Sequence, residues 1–162
     1  MSIQLARIDQ RLIHGLVVTQ WASATKATRL MVIDDDVSKD EGMKASMRLS
    51  KPAGVSMSII DTNKAINNFN NHNYDTQRVF IVVKEPETLR KLIDAGVELP
   101  KVNVGIMFFL EEKEKISKFV AITEKEKEDL QYIIDKGVPV NLQYVPTDTE
   151  QNFVDVLSAK NK

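Results

Sequence analysis

The sequence predicts an α/β fold: one domain of three layers, an open, twisted, mostly parallel sheet of about six to seven strands with helices on both faces. Two observations carry this. Apolar runs of strand length alternate with amphipathic helical stretches from one end of the chain almost to the other, the mark of βαβ units. Val79-Phe80-Ile81-Val82-Val83 is an unbroken β-branched and aromatic run, as expected of a central strand covered on both sides. The length of 162 residues, 43% of them hydrophobic and 28% charged, allows one domain with a buried core and sets residues 1–162 as that domain.

Each element follows from local signals. Ile3 to Ile8 forms the first strand, and Leu16 to Trp21 begins a helix that fades near Thr25. Leu30 to Ile33 is the second strand, ending at Asp34-Asp35-Asp36. Ser38 is read as the N-cap of a helix through Met43, Met47 and Leu49, stopped by Pro52 and Gly54. Val55 to Ile60 is a strand, and Thr62 opens a helix through Phe69 that dissolves in Asn70-Asn71-His72-Asn73. After the central strand, Pro86 and Gly96 bracket a helix, and Val102 to Phe109 is the next strand. Leu110 to Lys118 is mostly Glu and Lys, and Phe119 to Ile122 is a weak short strand. Thr123 with Glu126 forms a capping-box signal for a helix ending at Gly137. Val140 to Val145 is the last strand, and Asn152 to Leu157 a short terminal helix.

Composition narrows the function. A formal net charge of −1 offers no basic field for nucleic acid. The absence of cysteine excludes disulfides and thiolate metal sites. The N-terminus has no secretory signature and no apolar run approaches a membrane span, so a cytoplasmic location is expected.

The informative stretch is Arg7-Ile8-Asp9-Gln10-Arg11-Leu12-Ile13-His14-Gly15, a strand end, tight loop and helix start. Such a junction gathers backbone N–H groups and the positive end of a helix dipole, a seat for phosphate. A neutral imidazole is a good nucleophile toward a phosphoryl group, which makes His14 the candidate. Arg7 and Arg11 could neutralise the phosphoryl oxygens. Asp9 could fix the imidazole tautomer or pair with an arginine, and Gly15 would let the backbone approach phosphate. This chemistry needs no metal and no cofactor. On spacing alone, a histidine beside arginines is more often a surface or capping residue. His72 reads as solvated, Asp34 to Asp36 as caps, Glu111 to Lys127 as a solvated surface, and Trp21 with the methionines as core.

The motif from Arg7 to Gly15, followed by Trp21, resembles the signature R-[IV]-D-D-R-L-I-H-G-Q of the IIB subunits of the mannose/fructose/sorbose-type bacterial sugar phosphotransferase system. The likeness continues through Val32-Ile33-Asp34-Asp35-Asp36-Val37, Pro52-Ala53-Gly54-Val55 and Val102-Asn103-Val104-Gly105. This sequence departs from it at Gln10, Leu16 and Ile106. The resemblance implies that His14 accepts phosphate from a phosphorylated IIA component and donates it to a sugar taken up through membrane IIC and IID components. It places the chain in the cytoplasm, peripherally associated with that permease, and leaves open whether two copies pair. Two other readings compete: a receiver-like signalling domain phosphorylated on Asp34 or Asp35, and a non-catalytic regulatory module that binds an anion.

Overall fold

The computed structural model describes residues 2–160. Nine strands and six helices follow in chain order: β1 (Ile3–Asp9), α1 (Val17–Trp21 wound as π-helix, then Ala22–Ala24), β2 (Arg29–Ile33), α2 (Glu41–Leu49), β3 (Ser56–Ile60) and α3 (Thr62–Asn70). Then come β4 (Val79–Val83), α4 (Pro86–Asp94), β5 (Val102–Ile106), β6 (Glu114–Lys115), β7 (Ala121–Ile122), α5 (Glu124–Asp135), β8 (Val140–Leu142), β9 (Gln151–Asn152) and α6 (Phe153–Lys160).

Seven strands make the main sheet in the order β3-β2-β4-β1-β5-β8-β9. All pairs are parallel except β8 with β9, and β6 pairs β7 in a separate antiparallel hairpin. The fold is therefore the predicted open, mostly parallel sheet. Alternation along β4 divides the interior. Val79, Ile81 and Val83 face a core shared with α3, α4, α5 and α6, whereas Phe80 and Val82 face one shared with α1 and α2. Helices thus cover both faces, and β1, paired on either side by β4 and β5, delivers its carboxyl end to the middle of the sheet's upper edge. In open α/β sheets that edge is where ligands bind.

Several boundaries move from their sequence-based positions. Asp40, not Ser38, caps α2 by accepting from Met43 N–H at 3.0 Å, because Val37–Lys39 closes a 3-10 turn of its own. β5 stops at Ile106, and Phe108 and Phe109 turn outward to solvent instead of extending the strand. β8 stops at Leu142 because the next two carbonyls, of Gln143 and Tyr144, serve side chains of the site below rather than a neighbouring strand. The Glu/Lys stretch is not uniformly solvated: Ile116, Val120 and Ile122 are buried, and Lys113 lies sheltered 3.3 Å from Glu126. The capping box of Thr123 and Glu126 forms as read. Among the described residues, no helix is long and apolar enough to cross a membrane.

Candidate active site

β1 ends by presenting Asp9, whose side chain is fully buried, to the turn that follows it. Leu12 N–H closes that turn on Asp9 O at 2.9 Å, and Leu12 adopts a left-handed backbone with φ 58°. A leucine there costs about 1–2 kcal/mol, offset by burying its side chain in the core beneath α1, which is worth roughly 1.5–3 kcal/mol. The loop shape is thus tied to core packing.

The Asp9 carboxylate is the hub. Its Oδ1 accepts from the Arg11 backbone N–H at 3.0 Å and from Arg11 Nε at 3.4 Å. Its Oδ2 lies 3.0 Å from His14 Nε2 and 3.4 Å from Arg7 Nε. Burial alone would raise this carboxyl's pKa, but the His14 hydrogen bond, the Arg7 charge and the Arg11 amide together hold it below the usual range. An ionised carboxylate can only accept, so the proton of the neutral ring sits on Nε2. That leaves the lone pair on Nδ1, toward which Leu16 N–H points at 3.3 Å. With its side chain 19% exposed, His14 presents an oriented ring at the surface.

The two arginines have different surroundings. Arg7, read from sequence as a direct phosphate ligand, is carried wholly inside. A guanidinium has five N–H donors, and here each is engaged. Nε and Nη2 face Asp9, Nη1 donates to Asn103 Oδ1 and Gln143 O, and Nη2 donates also to Tyr144 O. Trp21 packs over its face at 4.8 Å and anchors itself by donating Nε1–H to Tyr144 O at 3.0 Å. Burial lowers the Arg7 pKa to about 10, against the pull of Asp9, so it stays cationic at neutral pH. Arg11 is 31% exposed, yet its Nη2 is buried with no hydrogen-bond partner. An inward, unpaired guanidinium N–H beside a histidine that shares its carboxylate is suited to an anionic oxygen. Gly15 is exposed, and a Cβ there would meet nothing within 4 Å.

The helix start is also unusual. Ala22 N–H bonds back to Val17 O, giving the π-winding of Val17–Trp21, a feature frequent at functional sites.

Residues 3–162 match the family described as PTS system sorbose subfamily IIB component. The chain belongs to the sorbose-type IIB family of the sugar phosphotransferase system. This IIB component is 34% identical to the fructose-specific EIIB component of Bacillus subtilis over 97% of this chain and 96% of that one. To the N-acetylgalactosamine-specific IIB component 1 of Escherichia coli it is 36% identical, covering 95% of this chain and 98% of the other. Among solved structures, the IIB domain of the sorbose permease from Klebsiella pneumoniae superposes with a TM-score of 0.94 at 30% identity, covering 98% of each chain.

The IIB fold gathers His14, Asp9, Arg11 and Gly15 at one loop and takes Arg7 beneath it. It does not bring the acidic triplet into the same constellation. Asp34 Oδ1 accepts from Asp36 and Val37 N–H, and Asp35 Oδ1 accepts from Thr62 N–H and Oγ1 at the start of α3. Only Asp34 plays the capping role read from sequence, on the 3-10 turn that follows the triplet; Asp36 makes no side-chain cap bond, and Asp35 reaches across to α3, where the Thr62 bonds hold its carboxyl below its usual pKa. His72 is an exposed loop residue 3.2 Å from Asp75. Sequence reasoning missed Gln143 and Tyr144, and it met Asn103 and Gly105 only as part of a family-like stretch without seeing that all four enclose the Arg7 guanidinium. A buried asparagine inside an otherwise apolar strand was the available signal for Asn103.

Proposed function

We propose that His14 Nδ1 is the phosphoryl carrier of this IIB component. It accepts the group from a phosphohistidine on a IIA component and delivers it to a sugar carried by the membrane IIC and IID components, working at the cytoplasmic face beside that permease. The observation that carries this is the 3.0 Å bond between Asp9 and His14 Nε2, which puts the ring's lone pair on Nδ1, where it accepts a long 3.3 Å bond from Leu16 N–H that must be given up when the phosphoryl group arrives. That lone pair attacks phosphorus, and the donor's P–N bond breaks with its electrons returning to the donor ring. Nε2 keeps its proton, so the phosphorylated ring is cationic, and buried Asp9 stabilises it. Arg11 Nη2 and the Leu16 amide meet the phosphoryl oxygens. In this reading Arg7 acts as a positioning residue, holding the Asp9 carboxylate rather than touching the phosphoryl group. In delivery a sugar hydroxyl oxygen attacks phosphorus, the P–Nδ1 bond breaks with its electrons returning to the His14 ring, and the hydroxyl proton passes to solvent or to a base on the permease side. Relatives are named for fructose, mannose, sorbose and N-acetylgalactosamine, so the acceptor class is a hexose or an N-acetylated hexosamine.

Incubation with phosphorylated IIA component, followed by mass mapping and nitrogen-resolved NMR, tests the proposal. One phosphoryl group is expected on His14 Nδ1 and none on His72. A hydroxylamine-labile acyl phosphate on Asp34 or Asp35, or a phosphoryl group on Nε2, would overturn it.

Arg11→Lys supplies a further check. Lysine keeps the charge but cannot reproduce both the Nε contact to Asp9 and an inward second N–H. The loading rate is expected to fall by about one to two orders of magnitude in quench-flow with the fold unchanged. A wild-type rate would reduce Arg11 to a surface charge.

A further inference from the structure

The sheet face covered by α1 and α2 carries a charge pattern unlike the rest of the chain. Residues 10–33, from the His14 loop through β2, and residues 42–60, from the first turn of α2 through β3, contain no Asp or Glu, although the chain has 23 of them and a net charge of −1. The cations of these stretches fall into two groups. Arg11 contacts Asp9, Arg29 is held by Gln77 and Ser58, and Lys44 by Ser38 O and Glu41. Lys26, Arg48 and Lys51 are exposed, and none has an ion-pair partner among the described residues. Arg78, also exposed, joins them by donating Nε–H to Lys26 O at 3.1 Å.

Lys26 lines an apolar groove of about 590 Å3, together with Val18, Ala22, Ala27, Pro52 and Val55. No carboxylate is among its lining residues. Lys51 directly precedes Pro52 of that lining, and its N–H donates to Arg48 O at 3.2 Å. Between those two cations in sequence stands Leu49, at 89% the most exposed large apolar side chain among the described residues. It lies two positions past Met47, the one buried residue of α2, and so on the opposite side of that helix. An apolar surface set among unpaired cations is unfavourable in water and suits a partner that is both anionic and apolar.

We infer that this face lies on an anionic lipid surface, with Lys26, Arg48, Lys51 and Arg78 against the headgroups and Leu49 in the interface below them. A second copy of the chain would bring the same unpaired positive charges to the contact, and like charges repel. A nucleic acid would satisfy the cations but give Leu49 and the groove nothing apolar. Lipid offers an anionic layer over an apolar one and asks for no fixed donor geometry, which suits four long exposed side chains. An orientation follows from α1. His14 stands about two turns above Ala22 of the groove, roughly 12 Å along the helix axis, so a bilayer against the groove leaves His14 at the rim of the contact and open to other proteins. Four charges and one leucine bind weakly and reversibly, enough to orient the chain without fixing it.

Sedimentation of the full chain with phosphatidylcholine vesicles, made with and without phosphatidylglycerol, tests this. Wild type is expected to pellet only with the phosphatidylglycerol vesicles and to be released by added salt. Lys26→Glu, Arg48→Glu and Lys51→Glu should each weaken binding by about fivefold or more. Leu49→Ser should weaken it by about threefold while keeping the salt dependence. All four side chains are exposed, so unchanged thermal melting verifies the fold of each variant. Equal pelleting with both kinds of vesicle, pelleting with neither, or phosphatidylglycerol binding that all four variants retain would overturn the inference. So would capture by polyglutamate without capture by vesicles, which would assign the face to an acidic protein. A dimer in vesicle-free solution that Leu49→Ser abolishes would assign it to a second copy and overturn the inference too. The vesicles hold no permease and no phosphoryl transfer is read, so the outcome is separate from that of the His14 assignment.

Discussion

Asp9→Asn is expected to slow phosphoryl loading of His14 by about two to four orders of magnitude and to destabilise the fold by roughly 3–5 kcal/mol. Both effects come from the same two oxygens. The carboxylate receives donors on either side, Arg11 on Oδ1 and His14 with Arg7 on Oδ2. An asparagine has one oxygen to offer and must turn its NH2 toward donors on the other side. If the NH2 faces His14, it stabilises the tautomer with the proton on Nδ1, and the attacking lone pair is lost. If the oxygen faces His14, the Arg11 amide meets an N–H, and in either case the buried Arg7 charge has lost its counter-ion. For a chain of this size the stability cost corresponds to a fall in Tm of roughly 6–20 °C, measurable by calorimetry. Loading should be measured at a temperature where the variant is folded. A wild-type rate would show that the carboxylate does not orient the ring. The sign of the acid dependence follows as well. Because the folded-state pKa of Asp9 is depressed, its stabilising contribution is complete above the unfolded value near 3.9 and is lost as pH falls through the folded value. The variant should therefore lack part of the wild type's loss of stability on acidification.

The second large effect is expected at a residue remote from any reacting atom. A Cβ on Gly105 would stand 2.7 Å from Arg7 Nη1 and closer still to Cζ and Nη2. The flexible end of an arginine can usually step aside. Here it cannot, because Trp21 covers it and two backbone carbonyls with Asn103 and Asp9 hold its hydrogens. Gly105→Ala is expected to cost about 3 kcal/mol or more, from overpacking and the weakened buried ion pair, and to slow His14 loading because Asp9 loses its rear support. A double-mutant cycle with Arg7→Ala isolates the cause: once Arg7 is truncated, the alanine should cost little further. Additive losses would mean that Gly105 matters for some reason other than the guanidinium.

Much of this architecture was readable because hydrophobic pattern and element type agree. Val79–Val83 carries no polar residue and is covered on both faces, and Thr123 with Glu126 announces a helix start that forms as a capping box. Boundaries failed where two local signals compete, as Ser38 and Asp40 do for the cap of α2, or where tertiary demand cuts a strand short, as Arg7 and Trp21 do by taking the carbonyls after Leu142. The π-winding of Val17–Trp21 was not readable, since apolar residues four apart suit either helix. The loop bearing His14 announced itself by residue types packed close in sequence. The inward course of Arg7 did not, because its partners Asn103, Gln143 and Tyr144 lie about a hundred residues or more along the chain, and no spacing rule reaches that far.

Leu12 gives the turn a further property, seen as motion rather than as shape. To relax out of its left-handed backbone the turn must draw a buried leucine from the core shared with α1 and α2. Such an excursion belongs with the rare local openings of packed structure rather than with the rapid fluctuations of an exposed loop. Most of the reorganisation that a mobile loop would face at each arrival of a phosphoryl group is completed here when the chain folds. Amide exchange at Leu12 should then be far slower than its position in a surface turn would suggest.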